Sequence, residues 1–229
     1  MIYNEIIKFG KSLCFDVGAN IGNRTSIFIN IGYEKVIAIE PQRNCLSILK
    51  NKFENNHRVL IIDKALSEVV KTENMYISNS DTISSMDINF INEVKKDRFK
   101  NYKWDICEEV ETTTLDNLIN LYGIPDFIKI DVEGYELNVL KGLSKPVNCI
   151  SFEYTPELHD RSILCVSQLE SISNYVYNLS IGESLLFEFD EWVSKEFLDS
   201  WLRENMMGKR DINNNLLFGD IYAKIKINI

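Results

Sequence analysis

The sequence predicts an α/β domain: an open, mostly parallel sheet with helices on both faces and an antiparallel strand pair near the carboxyl end. Three observations predict it. Short apolar runs alternate with amphipathic stretches, the pattern of βα units. A glycine-containing turn, DVGANIG (Asp16–Gly22), joins the first apolar run to the first amphipathic one. Two late runs, SLLFEF (Ser184–Phe189) and Leu216–Lys224, have the composition of paired strands. The 229 residues, 45% hydrophobic and 26% charged, suit a single domain over 1–229 with a sizeable core.

Taken in order, SLCFDV (Ser12–Val17) is the first predicted strand and Ile21–Ile31 the helix after it. KVIAI (Lys35–Ile39) is the second strand, Asn44–Phe53 its helix, and RVLII (Arg58–Ile62) the third. The rhythm then breaks into an inserted excursion at about 71–113, with a strand at Asn74–Ser78, a helix near Ile88–Lys96 and a strand at Glu108–Thr113. It is expected to lie over the sheet's edge or its ligand face. Thr114 caps a helix through Leu121. DFIKI (Asp126–Ile130), a helix over Tyr135–Leu143, a strand at Val147–Phe152 and a helix over Ile163–Leu179 follow. Residues 155–229 are expected to define the acceptor.

Composition removes several function classes. A net charge of −9 repels phosphate backbones and anionic membranes, so neither a nucleic-acid nor a membrane partner is expected. No apolar stretch is long enough to span a bilayer. The five cysteines are odd in number and form no C-x-x-C pair, which argues against a zinc site or disulfide framework and for a reducing cytoplasm. Cys14 and Cys149 read as core residues.

The candidate ligand site begins at the glycine turn, at the carboxyl edge of a parallel sheet. Gly18 and Gly22 permit a tight turn, with Ala19 and Asn20 between them. Asp16 stands where the first glycine of a dinucleotide fingerprint would be. A carboxylate there repels a pyrophosphate but attracts a cationic amino-acid moiety, directly or through water. Glu40, followed by Pro41, ends the second strand about 20 residues past the turn, where an acid can bind both ribose hydroxyls. Asp63, just past the third strand, could meet an adenine amino group or be a solvated turn residue. A nucleoside with a free ribose, a positive charge and no phosphate is S-adenosylmethionine.

The chemistry is expected around FIKIDVEGYE (Phe127–Glu136). Alternation along a strand points Lys129, Asp131 and Glu133 to one side. A lysine in an apolar strand needs a carboxylate, and Glu153, at the end of the neighbouring strand, is better placed than Asp131. The bland alternative is a structural ion pair. Asp131 is the first choice of base, with Lys129 available if burial lowers its pKa. His159 could reach the acceptor face as a base, or lie on the surface; His57 reads as solvated. Tyr154, Trp104, Trp192 and Trp201 could stack on a sugar or base, although packing is the commoner role of such aromatics. Magnesium, held by Asp131, Glu133 and Glu153, is the metal alternative.

These residues resemble the FkbM-like methyltransferases. The likeness lies in DVGANIG, Glu40-Pro41, ALS (Ala65–Ser67), TTLD (Thr113–Asp116) and above all IKIDVEGYELNVLKG (Ile128–Gly142), and runs from about Ser12 to Glu157. It implies a class I methyltransferase, Rossmann-like fold, S-adenosylmethionine as donor, and O-methylation of a sugar or polyketide hydroxyl. A sugar or nucleotide-linked sugar for surface polysaccharide is the expected acceptor. By position it places Asp16, Gly18, Asn20, Gly22 and Glu40 in the donor site, with Ala65 in the ALS run nearby, and Asp131 and Glu133 at the reaction face. The chain begins almost at the first strand, which predicts a truncated domain or one without a substrate lid. An N-methyltransferase on a small amine and a non-catalytic donor-binding module remain the alternatives. Homodimerisation through the aromatic carboxyl-terminal third is left open.

Overall fold

In the computed structural model, which describes residues 2–226, a short helix α1 (Ile2–Ile6) precedes β1 (Leu13–Val17). Then come α2 (Asn23–Asn30), β2 (Lys35–Ile39), α3 (Arg43–Phe53) and β3 (Val59–Ile62). The excursion holds β4 (Ala65–Leu66), β5 (Thr72–Ile77), α4 (Ile88–Val94) and β6 (Ile106–Thr113). The regular rhythm returns with α5 (Leu115–Tyr122), β7 (Phe127–Ile130), α6 (Glu136–Lys141), β8 (Cys149–Tyr154) and α7 (His159–Ile172). β9 (Tyr175–Ile181), α8 (Lys195–Asn205) and β10 (Gly219–Ile225) complete the chain.

Seven strands form one sheet in the order β3-β2-β1-β7-β8-β10-β9. All pair in parallel except β10, which is antiparallel to both β8 and β9. The central strands are covered on both faces, so β1 and β7 are buried along their whole length and read as continuous apolar runs. From β1 the chain winds outward to β3, then returns to place β7 on the other side of β1. That reversal opens a crevice at the carboxyl ends of β1 and β7, where open α/β sheets bind ligands.

The larger core cluster packs α5, α6, α7 and α8 against one face. The other face is closed by α1 and α2, around Ile2, Tyr3, Ile6 and Phe28. Phe28 is fully buried and meets Tyr3, Tyr33 and Phe127 edge-on. Its burial is worth about 2 kcal/mol, and each edge contact adds roughly 0.5–1.5 kcal/mol. Thr114 caps α5 as expected, its Oγ1 accepting from Asn117 N at 3.1 Å.

Two expectations fail near the carboxyl end. The helix predicted through Leu179 stops at Ile172, and Tyr175–Ile181 is β9. Its β-branched and aromatic residues pair along their length with β10, and that pairing overrides a helix-compatible spacing. SLLFEF is not a strand. Leu185 sits in the left-handed region at φ 53°, which breaks extension, and its carbonyl accepts from Ile2 N at 3.0 Å. The true antiparallel partners of β10 are β8 and β9.

The excursion lies over the ligand face. β6 pairs with β4 in parallel and with β5 antiparallel, forming a second sheet. α4 presses on the turn after β7: a Cβ on Gly134 would come 2.5 Å from that of Phe90. Ser85 Oγ donates to the Glu133 carbonyl at 2.6 Å. Among the described residues, no helix is long and apolar enough to cross a membrane.

Candidate functional site

A cavity of about 550 Å³ opens at the carboxyl edge of the sheet, between the glycine turn and the excursion. Gly18, Asn20, Glu40, Pro41 and Ala65 line one end, and Asp131, Glu133 and Glu153 the other. Gly18 turns at φ 79°, and its N–H and that of Ala19 donate to the Ile39 carbonyl at 3.0 Å each. This ties the exit of β1 to the end of β2. Asn20, itself at φ 49°, donates its N–H to Glu40 Oε2 at 2.8 Å, and Gln42 N donates to Oε1 at 2.7 Å. Glu40 is therefore fixed in place, 5% exposed, with lone pairs left to accept from ribose hydroxyls. Burial pushes its carboxyl up to about 7, although the two backbone N–H groups favour the charged form.

The rest of the expected donor set lies behind this wall. Asp16, Ala19 and Gly22 do not line the cavity. Ala19 packs among Leu49 and Phe53, while Gly22 leaves room for those same two side chains. Asp16 is fully buried; Thr25 Oγ1 donates to its Oδ2 at 2.5 Å, and Oδ1 has no partner among the described residues. Asp63 is a correction: it stands exposed outside the cavity, 3.5 Å from Lys50. No residue of β3 lines the cavity, whereas Asp81 and Gln42 do.

At the other end, parallel register sets Lys129 of β7 beside Asp16 of β1. Lys129 is 7% exposed, and its Nζ donates to Asp131 Oδ2 at 2.7 Å. Its partner is thus Asp131, not Glu153, because the turn after β7 folds the Asp131 carboxylate back over the strand end. Burial alone would pull the ammonium down, but Asp131, Asp16 and Asp220 more than offset it and hold Lys129 above its ordinary value. Lys129 is a fixed cation and not a base. Glu133 adopts φ 54°, and the turn is held by Glu136 Oε1, which accepts from Val132 N and Gly134 N at 3.2 and 3.1 Å. Asp131, Glu133 and Glu153 each present an oxygen within 4.8 Å of the others. Burial, then neighbouring carboxylates (Glu153 and Asp131 for Glu133, Asp131 and Glu136 for Glu153), raise the proton affinity of both well above that of ordinary carboxylates.

His159 is neither a base at this face nor a surface residue. It is 3% exposed, bonded to the Tyr154 hydroxyl through Nδ1 at 3.2 Å and to Asp199 through Nε2 at 3.1 Å. Trp104 donates to the Ile83 carbonyl, Trp192 packs on Phe187, and Trp201 on Phe189. With Tyr154, none of these lines the cavity. The aromatic walls are Phe99, Tyr102, Tyr135 and Phe218, which sequence reading missed along with Arg98, Asp81 and Gln42. The one available signal was the length of the excursion that carries Asp81, Arg98, Phe99 and Tyr102.

So many raised carboxyls give the unliganded protein an unusual pH dependence. Glu40 and Glu136 are each raised from 4.5 to about 7, and Asp220 from 3.8 to about 6, with burial the main cause. Between the unfolded and folded values the native state binds more protons, so their stabilisation is lost as pH rises from about 4 to 7. His159 opposes this, since burial lowers its pKa and folding then gains as pH rises to 6.5. Three carboxyls outweigh one imidazole. The melting temperature without donor is expected to be several degrees higher at pH 5.5 than at pH 7.5. A flat or rising scanning-fluorimetry profile would contradict it.

The family model for the methyltransferase FkbM domain matches residues 16–205, well beyond the stretch legible by eye. No curated protein matches the sequence. Similar solved structures include the precorrin-6y C5,15-methyltransferase of Geobacter metallireducens, 12% identical over 98% of this chain and 86% of that one, TM-score 0.48. An rRNA methylase of Streptococcus thermophilus is 10% identical over 98% and 94%, TM-score 0.45. An S-adenosylmethionine-dependent methyltransferase of Aquifex aeolicus is 11% identical over 98% and 89%, TM-score 0.42. The seven-stranded sheet, the glycine turn under Glu40 and the family match agree, and the chain belongs to the FkbM methyltransferase family, whose donor is S-adenosylmethionine.

Proposed function

We propose that the protein methylates a hydroxyl group of a sugar, for surface polysaccharide, in a reducing cytoplasm. The observation that carries this reading is the pairing of three clustered carboxylates with aromatic walls at the acceptor end. Carboxylates accept from sugar hydroxyls, while Phe99, Tyr102 and Phe218 offer apolar faces to the ring's C–H groups. S-adenosylmethionine, when bound, would supply an electrophilic methyl group on a sulfonium, the S–CH3 bond breaking as the O–CH3 bond forms and S-adenosylhomocysteine leaving. Glu40 holds the ribose, and Gly18 lets the backbone approach. Asp131, fixed by Lys129, orients the acceptor hydroxyl, and the Glu133–Glu153 pair takes up its proton as the new bond forms. Positioning supplies most of the rate. The free cysteines, four of them buried, suit a reducing compartment.

An amine acceptor is the second reading, favoured by the same carboxylates, which would attract an ammonium. Mass spectrometry of mixed neutral sugars, nucleotide sugars and small amines, incubated with protein and S-adenosylmethionine, separates the two. A sugar gaining one methyl group is expected; methylation of amines alone would overturn the proposal. Excess chelator is expected to leave turnover unchanged, since Lys129 already supplies the cluster with a cation through Asp131. Loss of turnover restored by magnesium would assign the carboxylates to a cation instead.

A further inference from the structure

We infer that Arg98 is the acceptor-recognition residue of this cavity, and that the acceptor carries an anionic group, a carboxylate or phosphate, which its guanidinium grips. The inference rests on the reading of the cavity as a sugar site and names the class of sugar.

Arg98 follows α4 in the excursion, and it is the one cationic side chain lining the cavity among the described residues. Its side chain is 10% exposed, yet Nε and Nη2 are buried without a hydrogen-bond partner. Glu157 Oε1 lies 3.2 Å from Nε, but neither oxygen of Glu157 makes a hydrogen bond, so the two meet as charges out of alignment. A structural ion pair between excursion and sheet would use the fork of donors that makes arginine suited to carboxylates. This one leaves it unused, and buried donors without partners are costly. The guanidinium is also held as a plane, its carbon 4.7 Å from the Phe99 ring centre and 5.7 Å from that of Phe218. A stacked guanidinium with unmade hydrogen bonds, on a residue that lines the cavity, has the donors to recognise a planar anion bidentately.

The neighbouring acids do not cancel it. Asp131 is neutralised by Lys129 at 2.7 Å. Burial and the surrounding carboxylates oppose ionisation of Glu133 and Glu153 together, so the acceptor end is less negative than its carboxylate count suggests.

The test compares initial rates on glucose, glucuronate, glucose 1-phosphate and UDP-glucose for the wild type, Arg98→Met, Arg98→Lys and the double variant Arg98→Met/Glu157→Gln. The double variant removes both charges together, and retained donor reports that each variant is folded. Expected is preference of the wild type for one of the three anionic sugars over glucose. The preferred one separates a carboxylate from a phosphate source. Its KM should rise about 10- to 100-fold in Arg98→Met and in the double variant, with kcat little changed and partial recovery in Arg98→Lys. Glucose used as well as every anionic sugar, or an unchanged KM in both Met variants, overturns the assignment of Arg98 while leaving sugar methylation standing. Methylation of no sugar, with donor retained, overturns both.

Discussion

Gly18→Ala is expected to lose donor binding by more than about 100-fold. The residue turns at φ 79°, where an L side chain costs about 1–2 kcal/mol on its own. The contact costs more: the added Cβ would lie 1.8 Å from the Asp131 carbonyl oxygen, a backbone atom. Neither side can yield cheaply. Gly18 N donates to Ile39 O at 3.0 Å, and Asp131 N donates to Val17 O at 3.0 Å, so the exits of β1, β2 and β7 are stitched together there. Relief must part β1 from β7 at the mouth of the crevice, shifting Asn20 off Glu40 and Asp131 off Lys129. Calorimetric titration with S-adenosylmethionine measures the loss. Gly123→Ala is the control: it has φ 98° but nothing within 4 Å of its would-be Cβ. It should lose about 1 kcal/mol of stability and keep full affinity. Near-normal donor affinity in Gly18→Ala would mean that the close approach of the two strand ends is not needed for binding.

The reason so much of this site was legible is that a parallel sheet collects strand ends. Burial on both faces makes β1, β2, β7 and β8 largely apolar runs, and the half-buried edge strand β3 is apolar too, so all are visible without a structure. Once their carboxyl ends are known, Gly18, Glu40, Asp131, Glu133 and Glu153 must gather at one edge, and they do. What was not legible depends on contacts between distant segments. Asp63 fits the sequence pattern, but the wall it was assigned belongs to Asp81, brought in by an excursion whose path no periodicity fixes. The sequence favours Glu153 over Asp131 as the partner of Lys129 because Asp131 is too close along the chain to be assured in that role, but the turn at Asp131 brings its carboxylate to 2.7 Å. His159 looked available because its partners, Tyr154 and Asp199, lie on different elements. β9 was read as helix because its pairing with β10 is a tertiary fact. Arg98 and its two rings were invisible for the same reason.

Turnover is expected to fall about 10²- to 10⁴-fold in Glu153→Gln, and by a similar factor in Glu133→Gln, with donor retention unchanged. The cluster has to provide both a fixed anion and a proton acceptor, and the structure divides these roles. Asp131 is held by an ammonium that three carboxylates keep protonated, so its charge is committed to orientation. Glu133 and Glu153 lack such a partner at close range, and burial together with neighbouring carboxylates, Asp131 among them, raises their proton affinity. A pair of this kind shares a proton and ionises in coupled steps. The ionised member takes the hydroxyl proton, and glutamine at either position removes that capacity without changing shape. The wild-type rate should therefore rise with pH along an acid limb above the ordinary carboxylate range. Asp131→Asn provides the discriminating arm. The Asp131 charge is among the causes that raise both glutamates, so removing it, and freeing Lys129, moves the acid limb to lower pH, with a smaller loss of rate. If Asp131→Asn instead loses as much as Glu153→Gln with its acid limb unmoved, the base is Asp131. Wild-type turnover in both glutamine variants would leave the glutamate pair no part in proton transfer.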